Sequence, residues 1–267
     1  NALAVTVLLD AAWKLGDASL QTTAVQVLGR LDSMAQAGTF SHVYSEEGPS
    51  DTPAFFTDWA WLLTALMQAH GNTAAESYLE RAVAVAQIMV DRFFDQKGGG
   101  FFDIEDQPEG IGHLQIREKV LADNTVAARA LVRLHRITRN EDYRQIAEAT
   151  LSAFVETFRE QGEFACDYGL AVHLLKNDMV EVTIEGRPED AGCQELMAAA
   201  ARLPQPNLDI KTVMAADGDT VARAHVCLDT VCLPPVDSPS ELAEAVAGLT
   251  EQQENPFQDI FQVFPGN

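Results

Sequence analysis

Carboxylates, aromatic rings and a guanidinium concentrate in two short stretches of the chain. Asp58, Trp59 and Trp61 lie at the start of one helical run. Phe101, Asp103, Asp106 and Arg117 follow the glycine run Gly98-Gly99-Gly100, with Lys119 and Asn124 close behind. Rings stack on pyranose faces while carboxylates and guanidinium groups hold hydroxyls, so these residue types suit a carbohydrate. The candidate ligand-binding set is therefore Asp58, Trp59, Asp103, Asp106, Arg117, Lys119 and Asn124. The carboxylates and Arg117 would orient a polar ligand and Trp59 would stack on it. The competing reading is a core, because Phe56 and Trp59 sit at helical spacing and burial is the default fate of large rings.

Catalysis is harder to assign. An epimerase that abstracts a proton beside a carbonyl needs an acid and a base with tuned pKa on opposite faces of the sugar. The histidines are His42, His70, His113, His135, His173 and His225. Only His42 and His113 fall in predicted loops, while His70 and His135 end helices, where the dipole accounts for them. A glycosidase would need two carboxylates about 5 to 10 Å apart, and acid pairs are too abundant here to choose one. No catalytic residue is assigned. The sequence has no GxxxxGK[ST] loop, no GxGxxG after a strand, no HExxH and no GxSxG. The glycine run reads as a turn, since no lysine-bearing strand-loop-helix surrounds it. Cys166, Cys193, Cys227 and Cys232 match neither a CxxC pair nor zinc spacing. Cys227 and Cys232 could bridge if their strands were adjacent, but the expectation is buried thiols in a reducing, cytoplasmic setting. No metal and no cofactor is implied.

The elements that would hold these residues are mostly helical and repetitive. Asp17, Leu20, Ala24 and Leu28 recur in spacing as Asn140, Tyr143, Ala147 and Leu151, with a third copy at Ala75, Tyr78, Ala82 and Ala86. Copies about 60 residues apart indicate stacked helical hairpins, since one hairpin cannot bury its own apolar face. Asn1 to Leu15 is apolar almost all round and reads as buried, whereas Ala18 to Gln36 carries one stripe. Thr52 before Pro53 predicts the cap of a second apolar helix, whose partner runs from near Thr73 to about Phe94. Asn124 to His135 and Glu141 to Phe158 form a third pair. Inner helices wrapped by outer ones define a mainly α fold, a partial α/α toroid of the six-hairpin glycosidase-like kind, over residues 1–176. Loops joining successive hairpins converge on one face, which places the site there.

Beyond Asn177 the pattern changes. Met179 to Ile184, Leu208 to Met214 and Ala222 to Leu228 alternate like strands, and Pro188 to Leu203 and Ser240 to Leu249 read as helices. Residues 177–250 thus form a small C-terminal α/β element. The tail, 251–267, ends in Phe257, Ile260, Phe261, Val263 and Phe264, a spacing suited to docking on the body or on another chain. Acidic residues number 40 against 18 basic ones, a formal net charge of −22, which opposes phosphate backbones and excludes nucleic acid as a natural partner. No run of about 18 apolar residues marks a membrane span, and no signal peptide is visible. The first residue is not methionine, so the natural polypeptide is expected to continue upstream.

The ordered series Pro53-Ala54-Phe55-Phe56-Thr57-Asp58-Trp59-Ala60, Gly99-Gly100-Phe101-Phe102-Asp103, Arg117, Lys119 and Asn124-Thr125-Val126-Ala127-Ala128 carries a family signature. It resembles the thioredoxin-domain-containing, N-acylglucosamine 2-epimerase-like proteins of the spermatogenesis-associated thioredoxin-like type. Val226-Cys227 with Cys232-Leu233-Pro234-Pro235-Val236 resembles the end of those chains. The resemblance runs to about Leu249 and implies a six-hairpin toroid preceded by a thioredoxin-like domain. It also implies carbohydrate binding or epimerase-like sugar processing. This chain matches only the later part, so its partners would be a sugar and either a protein partner or the missing N-terminal thioredoxin-like portion. It departs from the pattern between Lys119 and Asn124, where the family's Pro-Ser-Gly is absent. The alternative is a non-catalytic scaffold or accessory subunit of a larger assembly, because three hairpins leave apolar edges uncovered.

Overall fold

The computed structural model describes residues 1–36, 40–106, 109, 112, 116–187, 190–215 and 221–251. The predicted tail residues Phe257, Ile260, Phe261, Val263 and Phe264, and the loop histidine His113, lie outside the described residues.

Helices come first, in pairs: α1 (Ala2–Leu15) with α2 (Ala18–Gln36), α3 (Phe56–Thr73) with α4 (Glu76–Phe93), and α5 (Leu121–Thr138) with α6 (Glu141–Ser152). A further helix, α7 (Cys166–Lys176), packs on α5. Contacts run α1 to α3 to α5 to α7, while α2, α4 and α6 each lean on their own hairpin partner. That is an inner row backed by an outer row, a partial α/α toroid.

The sequence repeat is the inward stripe of the outer row. Ala24 and Leu28 on α2, Ala82 and Ala86 on α4, and Ala147 and Leu151 on α6 are all buried against the inner helices. Small residues there let outer and inner helices approach closely. Each hairpin turn is built the same way. Gly16 (φ 68°), Ala74 (φ 54°) and Arg139 (φ 59°) end the inner helices in the left-handed conformation, and Asp17, Ala75 and Asn140 follow at once. Asp17 Oδ1 accepts from Ser19 N–H (2.9 Å) and Asn140 Oδ1 from Asp142 N–H (3.0 Å), so both cap the outer helix, a role that Ala75 lacks the side chain to fill. His70 and His135 close the last two turns by donating Nδ1–H to the carbonyls of Ala75 (3.3 Å) and Asn140 (3.0 Å). Carbonyl partners fix the Nδ1 protonated tautomer in both rings.

Some boundaries, and the burial of α1, differ from expectation. Helix α3 starts at Phe56, not after Thr52, because Asp58 at its third position reaches back to Phe55 N–H (2.8 Å) and Pro53 is engaged in an extended bridge with Ser41. Helix α6 ends at Ser152, and a short 3-10 segment, Phe158–Ala165, leads into α7. Helix α1 is buried along one line only, through Val5, Leu9 and Ala12. Leu3, Val7 and Leu15 are 47, 58 and 73% exposed, since α1 is the edge of the arc and has an inner neighbour on one side.

Between α2 and α3 a two-residue ribbon pairs β1 (Tyr44–Ser45) with β2 (Gly48–Pro49). The C-terminal element has its own core of Val180, Val182, Ile184, Cys193, Leu196, Ala224, Val226, Leu242 and Val246. Its sheet runs in the order β4, β3, β5, β6, with β3 (Val180–Glu185), β4 (Leu208–Val213), β5 (Arg223–Leu228) and β6 (Val231–Cys232). The β3–β4 pair is parallel, joined through α8 (Ala191–Ala200), and the other pairs are antiparallel. Helix α9 (Pro239–Thr250), capped by Ser238, packs on α8 and β5.

The cysteines depart from expectation. Cys227 and Cys232 are opposite one another on β5 and β6 and form a disulfide, because the hairpin makes them cross-strand neighbours. Cys193 is a buried thiol and Cys166 an exposed one. A reducing compartment therefore draws no support from the Cys227–Cys232 pair.

Arg136 on α5 joins the two cores. Its guanidinium donates to Asn207 Oδ1 (2.6 Å), to Asn177 O (2.6 Å) and to Leu174 O. Asn207, fully buried just before β4, donates in turn to the carbonyls of Asn177 and Asp178 (2.8 Å each). Burial pushes the Arg136 pKa down to about 10.

Candidate functional site

Most of the residues singled out from sequence build the loop end of the inner helices. Asn124, buried at the start of α5, accepts from Phe101 N–H (2.6 Å) and donates to the carbonyls of Phe101 (3.0 Å) and Val120 (2.9 Å). Lys119 donates to Asp95 (2.8 Å) and to Gly99 O (2.6 Å), so it locks the glycine turn from inside. Gly99 has φ +67°, and a Cβ there would meet Ala149 O at 2.3 Å, so the turn needs glycine for both conformation and space. Lys119 and two backbone N–H groups hold the Asp95 carboxyl down at about 2. Arg117 lies over the Phe102 ring at 4.0 Å and donates to Ile104 O (3.0 Å).

Asp103 ties this loop to its neighbours. Its Oδ1 accepts from Ile104 (3.0 Å) and Glu118 (2.8 Å), and its carbonyl accepts from Phe56 N–H at the first turn of α3 (2.9 Å). Asp106 is exposed at the far end of the loop. Phe101 is fully buried and stacks on Phe56 with ring centres 4.7 Å apart. Trp59 is only 4% exposed and meets Phe40 edge-on at 4.8 Å. It therefore belongs to the core. Helical phase brings a different tryptophan, Trp61, to the concave side.

That side carries a continuous stripe. On α3, Thr57, Trp61, Thr64 and Gln68 recur at spacings of three and four, and on α5 Asp123, Val126, Arg129 or Ala130, and Arg133 do the same, so each set occupies one helix face. The stripes meet at the loop end, where Thr57 Oγ1 donates to Asp123 Oδ1 (2.9 Å). One turn further in, a cavity of about 360 Å³ opens between α1, α3 and α5, lined by Leu3, Thr6, Val7, Asp10, Trp61, Thr64, Met67, Gln68, Val126, Arg129, Ala130 and Arg133. Its volume falls within the range of about 300–1,000 Å³ typical of small-molecule sites.

A second cavity, of about 300 Å³, continues past Arg133 to where the C-terminal ends of α1, α3 and α5 meet α8 and β4. The loop end is acidic. Burial raises the pKa of Asp123; the hydrogen bond from Thr57 opposes that, and the charges of Asp58 and Asp103 reinforce it. Asp58 itself is hydrogen-bonded to His42 Nδ1 (2.9 Å). Deeper in, the charge reverses. Burial, and then Arg129, push the Arg133 pKa below its usual range against the pull of Asp209 and Asp10.

Trp61, Arg129 and Arg133 thus line the concave cavity, Asp123 stands toward the loop end on the same side of α5, and Lys119 and Asn124 hold the loop above it. Asp123, Arg129 and Arg133 are residues that sequence reasoning missed. The partner of Asp123, Thr57, is 66 positions away, and only the side-by-side packing of α3 and α5 brings the two together. Among the described residues, no cluster of three or more histidine, cysteine, aspartate or glutamate side chains could hold a metal ion, and no helix is long and apolar enough to cross a membrane.

No family model matches the chain. Spermatogenesis-associated protein 20 of Rattus norvegicus is 27% identical over 198 residues, 72% of this chain and 24% of that protein. The Homo sapiens protein of the same name is 25% identical over 213 residues, 70% of this chain and 26% of that one. An uncharacterized protein of Caenorhabditis elegans is 24% identical over 216 residues, 74% of this chain and 29% of the other. The chain spans about a quarter of the length of the curated relatives it matches. Among solved structures, cellobiose 2-epimerase of Bacillus thermoamylovorans is similar over 59% of this chain and 43% of its own, with TM-score 0.46 and 15% identity. That of Spirochaeta thermophila covers 58% and 43%, with TM-score 0.39 and 17% identity. In sequence, about 70% of this chain is similar to part of spermatogenesis-associated protein 20 of rat and human.

Proposed function

We propose that the concave face of the inner helices binds a carbohydrate, with Trp61 as the stacking platform. The observation that carries this reading is the cavity of about 360 Å³ in which Trp61 stands beside Thr64, Gln68 and the arginines of α5. A partly buried indole supplies apolar area and a specific ring contact, and the hydroxyl and amide side chains supply the few convergent polar groups a small ligand needs for orientation. Asp58, Asp103 and Asp123 ring the loop end, where a sugar's hydroxyls would find acceptors. Burial raises the Asp123 pKa above the ordinary carboxyl value, which is the direction a general acid requires.

The test is titration of the 267-residue chain with N-acylhexosamines and β-linked disaccharides, followed by tryptophan fluorescence and calorimetry. Trp61→Ala is expected to weaken binding by tenfold or more, about 1.4 kcal/mol or greater, with Trp59→Phe leaving affinity unchanged. Equal affinities for Trp61→Ala and the parent chain would remove the reading.

One observation favours a second reading, the scaffold. Leu3 and Val7, at the open side of the cavity, and Leu15 leave apolar surface exposed on α1, which suits contact with further protein. A stoichiometric co-purifying partner that protects this edge from solvent exchange, together with no sugar binding, would favour it.

A further inference from the structure

Arg129 and Arg133 stand one helical turn apart on α5 and both line the concave cavity. Like charges at that spacing repel, so a pair held on one partly buried face is unfavourable unless something neutral or negative answers it. The surroundings answer only in part. Arg129 makes a loose ion pair with Asp167 at 3.6 Å, and that carboxylate is 74% exposed. Among the described residues, no side chain or carbonyl accepts a hydrogen bond from Arg133, whereas Arg136, one position short of the next turn, spends its guanidinium on three acceptors. Asp10 lines the same cavity and Asp209 the second one beyond Arg133, and their ion-pair partners are Lys14 (2.8 Å) and Lys211 (3.0 Å). A guanidinium that lines a cavity and has no hydrogen-bonded acceptor among the described residues is free to receive a carboxylate or phosphate through paired hydrogen bonds.

The whole-molecule field points the other way, with a formal net charge of −22. General electrostatics would expel anions, so a cationic pair in the cavity is a local feature rather than a share of a basic surface. We infer that the concave cavity recognises a small ring-bearing ligand through an oxyanion, carboxylate or phosphate ester, held by Arg133 with Arg129 beside it. This deepens the carbohydrate reading and rests on it for the ring, but not for the anion.

The experiment compares four probes on the full chain by calorimetry: glucose, glucuronate, glucose 6-phosphate and inorganic phosphate. One of the two anionic sugars is expected to bind at least about tenfold more tightly than glucose, as a charge-assisted paired contact requires. Which of them does so distinguishes carboxylate from phosphate. Arg133→Gln should reduce that sugar to the affinity of glucose, and Arg129→Gln should do so in part. In the parent chain, added sodium chloride should weaken the anionic sugar and leave glucose unchanged, a readout independent of whether either variant folds. Glucose binding as tightly as both anionic sugars, or a preference that survives Arg133→Gln and salt, would overturn the inference while leaving the carbohydrate reading intact. Inorganic phosphate binding that Arg133→Gln abolishes, with no sugar bound, would sustain the anion site and remove the carbohydrate. Silence from all four probes would remove both.

Discussion

Asp95 and Lys119 show how a residue chosen for chemistry turns out to hold a loop. The carboxyl of Asp95 is pulled down to about 2 by Lys119 and by the backbone of the glycine turn, from an ordinary value near 3.8. A depressed carboxyl stabilises the fold above its unfolded pKa and loses that contribution as the pH falls through its folded value. The turn is therefore expected to lose stability between about pH 4 and pH 2, and Asp95→Asn should flatten that limb of an acid-unfolding curve followed by circular dichroism. An unchanged acid limb would contradict the assignment. Asp123 has the opposite sign: its raised pKa favours the fold at low pH and weakens it as the pH rises through the folded value. At this scale the sequence displayed the right residue types and not their duties. Trp59 and Trp61 differ by two positions, and the choice between core and cavity depended on where α3 begins, which Asp58 sets by capping Phe55 rather than Thr52 doing so.

The elements themselves were legible wherever burial is periodic. Inward stripes of the outer helices recur because each outer helix meets the same kind of neighbour, and β3 and β5 alternate because one face is covered by α8 and α9. Helix α7 was not separately visible, as it is apolar on most sides and buried on several. Strand β6 was too short to show a period. The hairpin turns expose a cost that the repeat explains. Gly16 takes its left-handed conformation freely, whereas Ala74 and Arg139 adopt it with a Cβ, at about 1 kcal/mol each. Ala74→Gly should raise stability by roughly 0.5–1 kcal/mol in chemical denaturation. A loss of stability would show that the turn is held by something other than backbone preference.

Across the whole molecule, the toroid and the α/β element are fastened by Arg136 and Asn207 as well as by apolar contact. Arg136→Met keeps the hydrophobic stem and removes every donor, leaving the carbonyls of Leu174 and Asn177 and the Asn207 amide short of a partner. A loss of about 3 kcal/mol is expected, measured by denaturation with Trp13 fluorescence reporting on the junction it lines. No loss would mean that the two cores need no such fastening. The same junction has a bearing on traffic. The α/β element sits across the C-terminal ends of α1 and α3, so the hollow resembles a cup with a fitted base. The cavity is open along the exposed edge of α1, and carboxylates of Asp123, Asp58 and Asp103 stand toward the loop end while the arginines lie deeper. A guest with one negative group would lie with that group away from the carboxylates and toward the arginines, so the order of those charges sets which way it faces.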